Sequence, residues 1–169
     1  MNRKLHISDG VIGLYDYIPA IDDIESYECW QDEDTQRGYN HKFAKTFEEY
    51  QNRDVNSRFK FTIIRHSDNS RIGNIFLSSG DMPDLAIIIY KPYRYMGYGT
   101  SAFKLGIRYS FDVLNLDKIY AGCYPDNKIS RKMITGCGFV PHPDGNLDET
   151  HYITGESIIQ YDFVLHKQQ

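Results

Sequence analysis

Apolar and polar positions along the chain first repeat with the period of a helix. Between residues 21 and 50 most positions are polar, and apolar side chains recur three or four residues apart, as in Phe43, Phe47 and Tyr50. This spacing puts them on one face of a helix. The segment therefore predicts two short helices, broken near residues 37–40, where the sequence reads Arg-Gly-Tyr-Asn.

The pattern then changes to that of β-strands. β-Branched and aromatic residues concentrate in three successive segments, which clusters of turn-forming residues separate. These segments are residues 60–66, 71–77 and 84–90. The third is apolar at consecutive positions, as is typical of a strand that is buried on both faces near the centre of a sheet.

Helical spacing returns between residues 100 and 114, where Phe103, Ile107, Phe111 and Leu114 share one face. The remaining predicted elements are a strand at 118–124, a helix at 127–136 with Asp126 as its N-cap, and strands at 152–153 and 158–165.

The order of these elements predicts the fold class α/β (α+β). Strand 84–90, helix 100–114 and strand 118–124 form a βαβ unit, so the two strands are expected to be parallel. The other connections are short enough for antiparallel neighbours. We therefore expect a mostly antiparallel central sheet with one parallel pair, flanked by helices, in a single domain that covers residues 1–169.

Composition narrows the class of protein. The chain has 169 residues, 41% of them hydrophobic, which suits one domain with one core. With 19 basic and 23 acidic residues the net charge is −4, the wrong sign for a general nucleic-acid binder, and no apolar run could span a membrane. The three cysteines and six histidines lack ligand or disulfide spacing, so we expect no metal and a reducing, cytoplasmic location.

Acidic residues are concentrated in the first third of the chain. Residues 1–50 contain 11 acids and 5 bases, a charge of −6, whereas the rest contains 12 acids and 14 bases, a charge of +2. Residues 14–34 contain eight acids and no lysine or arginine. Two interpretations are open: a solvated helical face, or the lip of a pocket that attracts a cationic substrate.

The segment between strand 84–90 and the next helix is the most informative for function. Gly97 and Gly99 lie at this turn, where glycine allows consecutive N–H groups to converge on one anion at the start of a helix. No Lys-Ser/Thr follows Gly99, which excludes a Walker A loop, and the spacing does not fit the dinucleotide-binding pattern.

The pattern Arg94-x-x-Gly97-x-Gly99 resembles the acyl-CoA pyrophosphate signature of the GNAT superfamily of N-acetyltransferases. Downstream, the segment from Asn127 to Phe139 is similar to a second motif of that family, Asn-x-x-Ser/Ala followed by Gly-Phe. The two motifs have the right order and lie on the right elements. Within the superfamily the chain most resembles the RimJ/RimL-like group, whose members acetylate N-terminal amines.

The resemblance implies transfer of an acetyl group from acetyl-CoA to a primary amine, either a protein N-terminus or a small amine. Backbone groups at 88–90 would pair with pantetheine, the turn would hold the pyrophosphate, and residues of the second motif would hold the pantetheine arm. The cofactor-binding residues implied are Ile88, Ile89, Tyr90, Arg94, Tyr95, Met96, Gly97, Tyr98, Gly99, Thr100, Asn127, Ser130 and Met133. A role as a surface or helix-cap residue is equally open for Arg94.

The proton-transfer groups of well-understood relatives are absent. Their tyrosine falls on Ile134 and the glutamate of some relatives falls on Gly122. We therefore take Asp84 as the candidate base and Tyr124 as a candidate contact to the thiol, although Asp84 could equally be a turn residue. The missing groups leave open an alternative function, a non-catalytic CoA-binding sensor or interaction module.

The N-terminal helices would line the acceptor side. The candidate acceptor-binding residues are Tyr27, Trp30, Glu33 and Tyr39, with further carboxylates at Glu28, Asp32 and Asp34. Aromatic packing between helix and sheet is the open alternative for the three aromatic residues. The segment 142–151 is long for a hairpin loop and could form part of the acceptor rim. The resemblance is also compatible with a homodimer.

Overall fold

A β-hairpin that the apolar pattern did not reveal begins the fold. In the computed structural model of the protein, which describes residues 3–168, strand β1 (Leu5–Ser8) pairs antiparallel with β2 (Ile12–Asp16). Ile12 and Leu14 are fully buried, because alternate residues of a strand point to the same face. The two strands are only four and five residues long, too short for this alternation to stand out in the sequence.

Three helices follow, where the sequence pattern predicted two. They are α1 (Pro19–Gln31), α2 (Glu33–Gly38) and α3 (Phe47–Gln51). The division that the prediction missed falls at Asp32, which ends α1 and whose carboxylate accepts a hydrogen bond from Thr35 N at 3.2 Å to begin α2. Because no loop separates these two helices, the sequence shows no gap there. The predicted break near residues 37–40 is confirmed as the end of α2.

All three predicted central strands are present. They are β3 (Ser57–Arg65), β4 (Ser70–Ser78) and β5 (Leu85–Ile89). With the N-terminal hairpin they form a five-stranded sheet of order β1-β2-β3-β4-β5, in which each pair of neighbours is antiparallel. The mostly antiparallel sheet that the sequence predicted is therefore confirmed.

The chain then crosses the sheet and returns. The elements are a 3₁₀ turn (Lys91–Tyr93), α4 (Tyr98–Arg108) with a π-helical turn (Tyr109–Val113) after it, β6 (Lys118–Cys123) and α5 (Lys128–Gly136). The N-cap of α5 is Asn127 rather than the predicted Asp126, because the side-chain oxygen of Asn127 accepts a hydrogen bond from Ser130 N at 3.1 Å.

A second, smaller sheet contains the C-terminal strands. These are β7 (Val140–Pro141), β8 (Leu147–Thr150) and β9 (Ser157–His166). Both β6 and β7 pair antiparallel with β9, and β8 pairs with another part of β9. The strand predicted at residues 152–153 is wrong: these residues form the turn between β8 and β9.

The two sheets meet where β5 and β6 begin. Asp84 and Tyr120 form a single parallel bridge, and Tyr120 N donates to Pro83 O at 2.9 Å. The parallel direction predicted from the βαβ unit is confirmed, but within residues 3–168 the ladder between these strands does not extend beyond this bridge. The edge of β5 that faces β6 is therefore left without a partner strand beyond this bridge.

Side chains of β5 alternate between two helical layers. Ile87 and Ile89 pack against the main core, which contains Phe103 and Leu105 of α4. Ile88, on the opposite face, belongs to a smaller cluster with Cys29 of α1 and with Tyr90. Helices cover both faces of the sheet at this strand, which explains its continuously apolar sequence.

Neither interpretation of the acidic N-terminal segment applies to its most buried members. Asp22, which is fully buried, accepts hydrogen bonds from Arg3 at 2.7 Å and from Thr62 Oγ1 at 2.8 Å. Asp23 accepts one from Arg53 at 2.8 Å. These carboxylates join α1 to the N-terminal segment and to β3, so they stabilise the fold and are not exposed to a substrate.

We expect Asp22→Ala to lower the free energy of unfolding by about 3–5 kcal/mol, since it leaves the buried hydrogen-bond donors around it without an acceptor. The matched control is Asp34→Ala, which removes an acid from the same segment that is 47% exposed and pairs with Arg37. This control should change stability by less than about 1 kcal/mol. Urea denaturation of both variants measures the difference, and equal losses would contradict the structural role of Asp22.

Candidate active site

The open edge of β5 offers backbone groups to a ligand. Asp84 O accepts from Ser78 N at 3.0 Å and Tyr90 N donates to Ile72 O at 2.9 Å, so even-numbered residues of this segment face β4. In an antiparallel ladder the intervening residues face the other way. The backbone N–H and C=O groups of Ile87 and Ile89 therefore point into the gap between β5 and β6.

Both outward carbonyl groups are already hydrogen-bonded, whereas the N–H groups are not. Ile87 O accepts from the hydroxyl of Tyr39 at 2.6 Å, and Ile89 O accepts from Arg94 Nε at 2.9 Å. Among residues 3–168, no group accepts from the N–H of Ile87 or Ile89. The two donors are the groups through which an extended ligand could join this edge as a further strand does.

This geometry corrects part of the predicted cofactor site. The backbone groups of Ile88 and Tyr90 are used within the sheet, and both side chains are buried against α1. The backbone groups of Ile89 and Ile87 face the gap, and only Ile89 is among the residues that the resemblance implied. The apolar run does not reveal which backbone groups face outward, because that depends on which neighbour lies at each edge of the strand.

The turn before α4 has the backbone shape of an anion site. Tyr95 and Gly97 have φ values of 64° and 84°, and α4 begins directly after Gly97 without a side-chain cap. The first N–H groups of α4, at Tyr98, Gly99 and Thr100, have no acceptors within the helix. No atom lies within 4 Å of where a Cβ of Gly97 would be, so the space in front of the turn is open. Exposed N–H groups at a helix start suit a phosphate.

Arg94 points away from this turn. Its guanidinium donates to Asp32 at 2.7 Å and to Thr35 Oγ1 at 2.8 Å, and its side chain is 15% exposed. Burial opposes the ionisation of Asp32, but hydrogen bonds from Arg94 and Lys91 lower the pKa of Asp32 to about 2. Arg94 therefore links the end of β5 to Asp32, the N-cap residue of α2, a role other than the surface or helix-cap alternatives that were open beside phosphate binding.

The second motif lies next to the β5 edge. Asn127 caps α5 and donates to Gly38 O at 3.3 Å, which ties α5 to the end of α2. A Cβ on Gly99 would be 3.6 Å from Ile89 Cγ1 and 3.9 Å from Met133 Sδ. The structure thus brings together Ile89, Gly99 and Met133, three predicted cofactor residues that are far apart in the sequence.

The predicted acceptor residues separate in the structure. Tyr39 lies on the β5 edge through its hydrogen bond to Ile87 O, and Trp30 packs behind it with ring centroids 5.0 Å apart. Tyr27 instead packs against Phe47 of α3 at 5.2 Å. Glu33 is exposed at the start of α2. Of the four residues, Tyr39 has the most direct contact with the gap.

Both candidate catalytic residues border the gap, but they differ in whether the side chain is hydrogen-bonded. Burial raises the pKa of Asp84 to about 7, with a further contribution from the charge of Asp162, and no hydrogen bond opposes this shift. The hydroxyl of Tyr124 donates to Glu149 Oε2 at 2.7 Å, and burial together with this bond raises its pKa. Tyr124 is therefore committed to Glu149, which comes from the predicted rim segment 142–151.

The chain is similar to known acetyltransferases in sequence pattern and in fold. The family model of the acetyltransferase (GNAT) domain matches residues 10–140. The chain belongs to the GNAT acetyltransferase family. The resemblance inferred from the two motifs is thereby confirmed, and the protein is an acyltransferase. No curated protein matches the chain by sequence.

Solved GNAT structures share the whole fold. A spermidine N-acetyltransferase from Vibrio cholerae, in complex with CoA and spermine, has a TM-score of 0.82 at 20% identity, over 94% of this chain and 96% of that one. A GNAT acetyltransferase from Bacillus anthracis has a TM-score of 0.77 at 18% identity, over 98% of both chains. An acetyltransferase from Agrobacterium tumefaciens has 0.76 at 15% identity, over 99% and 100%.

Within the described part of the chain, no group of three or more histidine, cysteine, aspartate or glutamate side chains could hold a metal ion. No helix among residues 3–168 has the length and apolar character needed to cross a membrane.

The raised pKa of Asp84 predicts a pH-dependent cost in stability. Its ordinary pKa of 3.8 rises to about 7 in the folded protein, so folding disfavours the ionised form and the wild type loses stability as pH rises from about 4 to about 7. A shift of three units corresponds to at most about 4 kcal/mol. Asp84→Asn removes this charge, so its unfolding free energy relative to the wild type should increase between pH 4.5 and pH 8.

Urea denaturation at both pH values measures this effect. Asp148→Asn, which removes an exposed acid on β8, is the matched control and should show no such trend. A constant difference between Asp84→Asn and the wild type at the two pH values would show that Asp84 keeps an ordinary pKa in the folded protein.

Proposed function

We propose that this GNAT protein transfers an acetyl group from acetyl-CoA to a primary amine, either a protein N-terminus or a small amine. The observation that carries the proposal is the unpartnered edge of β5 beside the uncapped start of α4. Together they offer strand-type donors and a phosphate-type turn within one continuous surface. Binding of CoA by the Vibrio cholerae relative supports this assignment.

Each part of the acyl donor has a complementary feature in this chain. The N–H groups from Gly97 to Thr100 would bind the pyrophosphate. The N–H groups of Ile87 and Ile89 would bind the pantetheine amides and polarise the thioester carbonyl, which is how hydrogen-bond donors aimed at a developing oxyanion promote acyl transfer. Met133 would contact the pantetheine arm from α5.

Carboxylates near the Asp84–Tyr120 bridge, where the gap between β5 and β6 begins, suit a cationic acceptor. The charge of Asp162 raises the pKa of Asp84, and the charge of Glu149 raises that of Asp162. An amine must lose a proton before it can attack: at pH 7 this costs about 4–5 kcal/mol for a lysine-like amine and about 1 kcal/mol for an α-amine. A base whose pKa is near neutral, as for Asp84, is well matched to this step.

A second candidate function is binding of CoA without catalysis. It is favoured by Ile134, a buried side chain with no proton to give, and by Gly122, which has no side chain at all. Tyr124 does not supply the missing proton donor, since its hydroxyl already donates a hydrogen bond to Glu149. Release of free thiol in the presence of amines separates the two functions.

We expect Gly97→Glu to abolish the binding of acetyl-CoA, because a side chain and a negative charge would enter the space where the pyrophosphate binds. Gly10→Glu is the matched control: Gly10 also has a positive φ, 92°, and open space around it, but it lies in the hairpin between β1 and β2. Titration calorimetry should show binding to the wild type and to Gly10→Glu only. If Gly97→Glu binds within about threefold of the wild type, the assignment of the turn is wrong.

Acetylation itself is tested with a panel of amines. Polyamines, aminoglycosides, amino-sugar nucleotides and peptides with a free N-terminus are incubated with acetyl-CoA and the protein, and released thiol is measured. We expect turnover with at least one class. Binding of acetyl-CoA without turnover on any amine would instead support the non-catalytic function.

Location and assembly complete the proposal. All three cysteines, Cys29, Cys123 and Cys137, are free, which is consistent with a reducing cytoplasm. One Vibrio cholerae spermidine N-acetyltransferase is dodecameric. A homodimer of this chain stays a prediction.

A further inference from the structure

Asp162 occupies the space in front of Gly122. The two residues are directly opposed in the antiparallel ladder of β6 and β9. A Cβ added to Gly122 would lie 2.9 Å from Asp162 Oδ1 and closer still to Gln160 Nε2. The carboxylate is held there by a hydrogen bond from Gln160 Nε2 at 3.0 Å. Any larger residue at position 122 would have to displace it.

Asp84 lies on the other side of the same strand. It is bridged to Tyr120 of β6, and residues opposed in a bridge or two apart along a strand project to the same face. The carboxylates of Asp84 and Asp162 therefore flank β6 on one face, and glycine at position 122 leaves no side chain between them. Their interaction is direct enough that the charge of Asp162, after burial, raises the pKa of Asp84.

We propose that Asp84 and Asp162 act as one proton-accepting pair for the acceptor amine, an inference that rests on the proposed function. Two like charges that flank one strand on the same face favour a state in which one of the two carboxylates binds a proton readily. Asp162 could not be found from the sequence as Asp84 was, because it lies 78 positions further along the chain and follows no motif.

The proton balance of the step is as follows. The pair takes one proton from the ammonium form of the acceptor, which frees the nitrogen lone pair. The nitrogen then bonds to the thioester carbonyl carbon, the carbon–sulfur bond breaks, and the second nitrogen proton goes to the leaving sulfur. The pair returns its proton to solvent, so one proton is released for each acetyl group transferred.

Other titratable groups face the pair and contribute to its charge state. Burial raises the pKa of Asp162, the hydrogen bond from Gln160 and the charge of His142 lower it, and Glu149 raises it. The titratable groups around the two carboxylates are Tyr39 from the end of α2, Cys123 and Tyr124 from β6, His142 after β7 and Glu149 from β8. These groups set the environment in which the two carboxylates exchange a proton.

The test variant is Asp162→Asn in the full chain, with Asp54→Asn, between α3 and β3, as the control for loss of one exposed acid and Asp162→Glu as the conservative variant. In Asp162→Asn we expect unchanged binding of acetyl-CoA and a fall in kcat/KM at pH 7 of about 100-fold or more. The rising limb of its pH profile should move to lower pH, since a like charge has been removed. Asp162→Glu should recover part of the rate, and Asp54→Asn should equal the wild type.

A direct titration separates coupling from catalysis. Carbon-13 NMR of the Asp84 carboxyl, assigned with Asp84→Asn, should show a midpoint near neutral pH in the wild type and a lower midpoint in Asp162→Asn.

Three outcomes overturn the inference. If the Asp84 midpoint does not change, the carboxylates do not form a pair. If Asp162→Asn keeps at least a third of kcat/KM while the wild type acetylates an amine, the inference alone fails. A wild type that binds acetyl-CoA but acetylates no amine overturns the proposed function as well.

Discussion

The pairing between β5 and β6 stops after one bridge, and the rest of the site depends on this interruption. A buried strand edge normally satisfies its N–H and C=O groups with a neighbouring strand. Here the chain itself satisfies only the carbonyl groups, through Tyr39 and Arg94, and leaves two N–H groups directed into the gap. A ligand with amide groups can complete the sheet at that position, and the uncapped start of α4 lies beside it.

Charged side chains of the N-terminal helices mainly hold this arrangement in place. Arg94 and Asp32 join the end of β5 to the start of α2, while Asp22 joins α1 to β3. The strongly negative first third of the chain is thus largely committed to ion pairs. The carboxylates near the gap come instead from Asp84, just before β5, and from β8 and β9, so the charge asymmetry of the sequence does not by itself locate the acceptor side.

The acids near the gap illustrate a compromise between stability and chemistry. A half-buried carboxylate whose side chain has no hydrogen bond, as in Asp84, destabilises the folded protein progressively as pH rises from about 4 to about 7, yet the same burial brings its pKa close to the value that a base needs. Gly122 has a related role, because the absence of its side chain leaves room for Asp162. A residue that lacks chemistry of its own therefore defines where the neighbouring carboxylate lies.

Local periodicity was sufficient to predict β3, β4, β5, α4, β6 and α5. Two short motifs were sufficient to identify the family and the turn at Gly97. These features could be predicted because each depends on residues that lie close together in the chain. Only the tertiary structure decided the short N-terminal hairpin, the division at Asp32, the outward direction of Ile87 rather than Ile88, and the proximity of Asp162 to Asp84. Each of these depends on which distant segment lies alongside. The direction of hydrogen bonds at a strand edge and the pKa of a carboxylate both depend on the neighbouring segments in space. Local sequence patterns do not predict which segments those are.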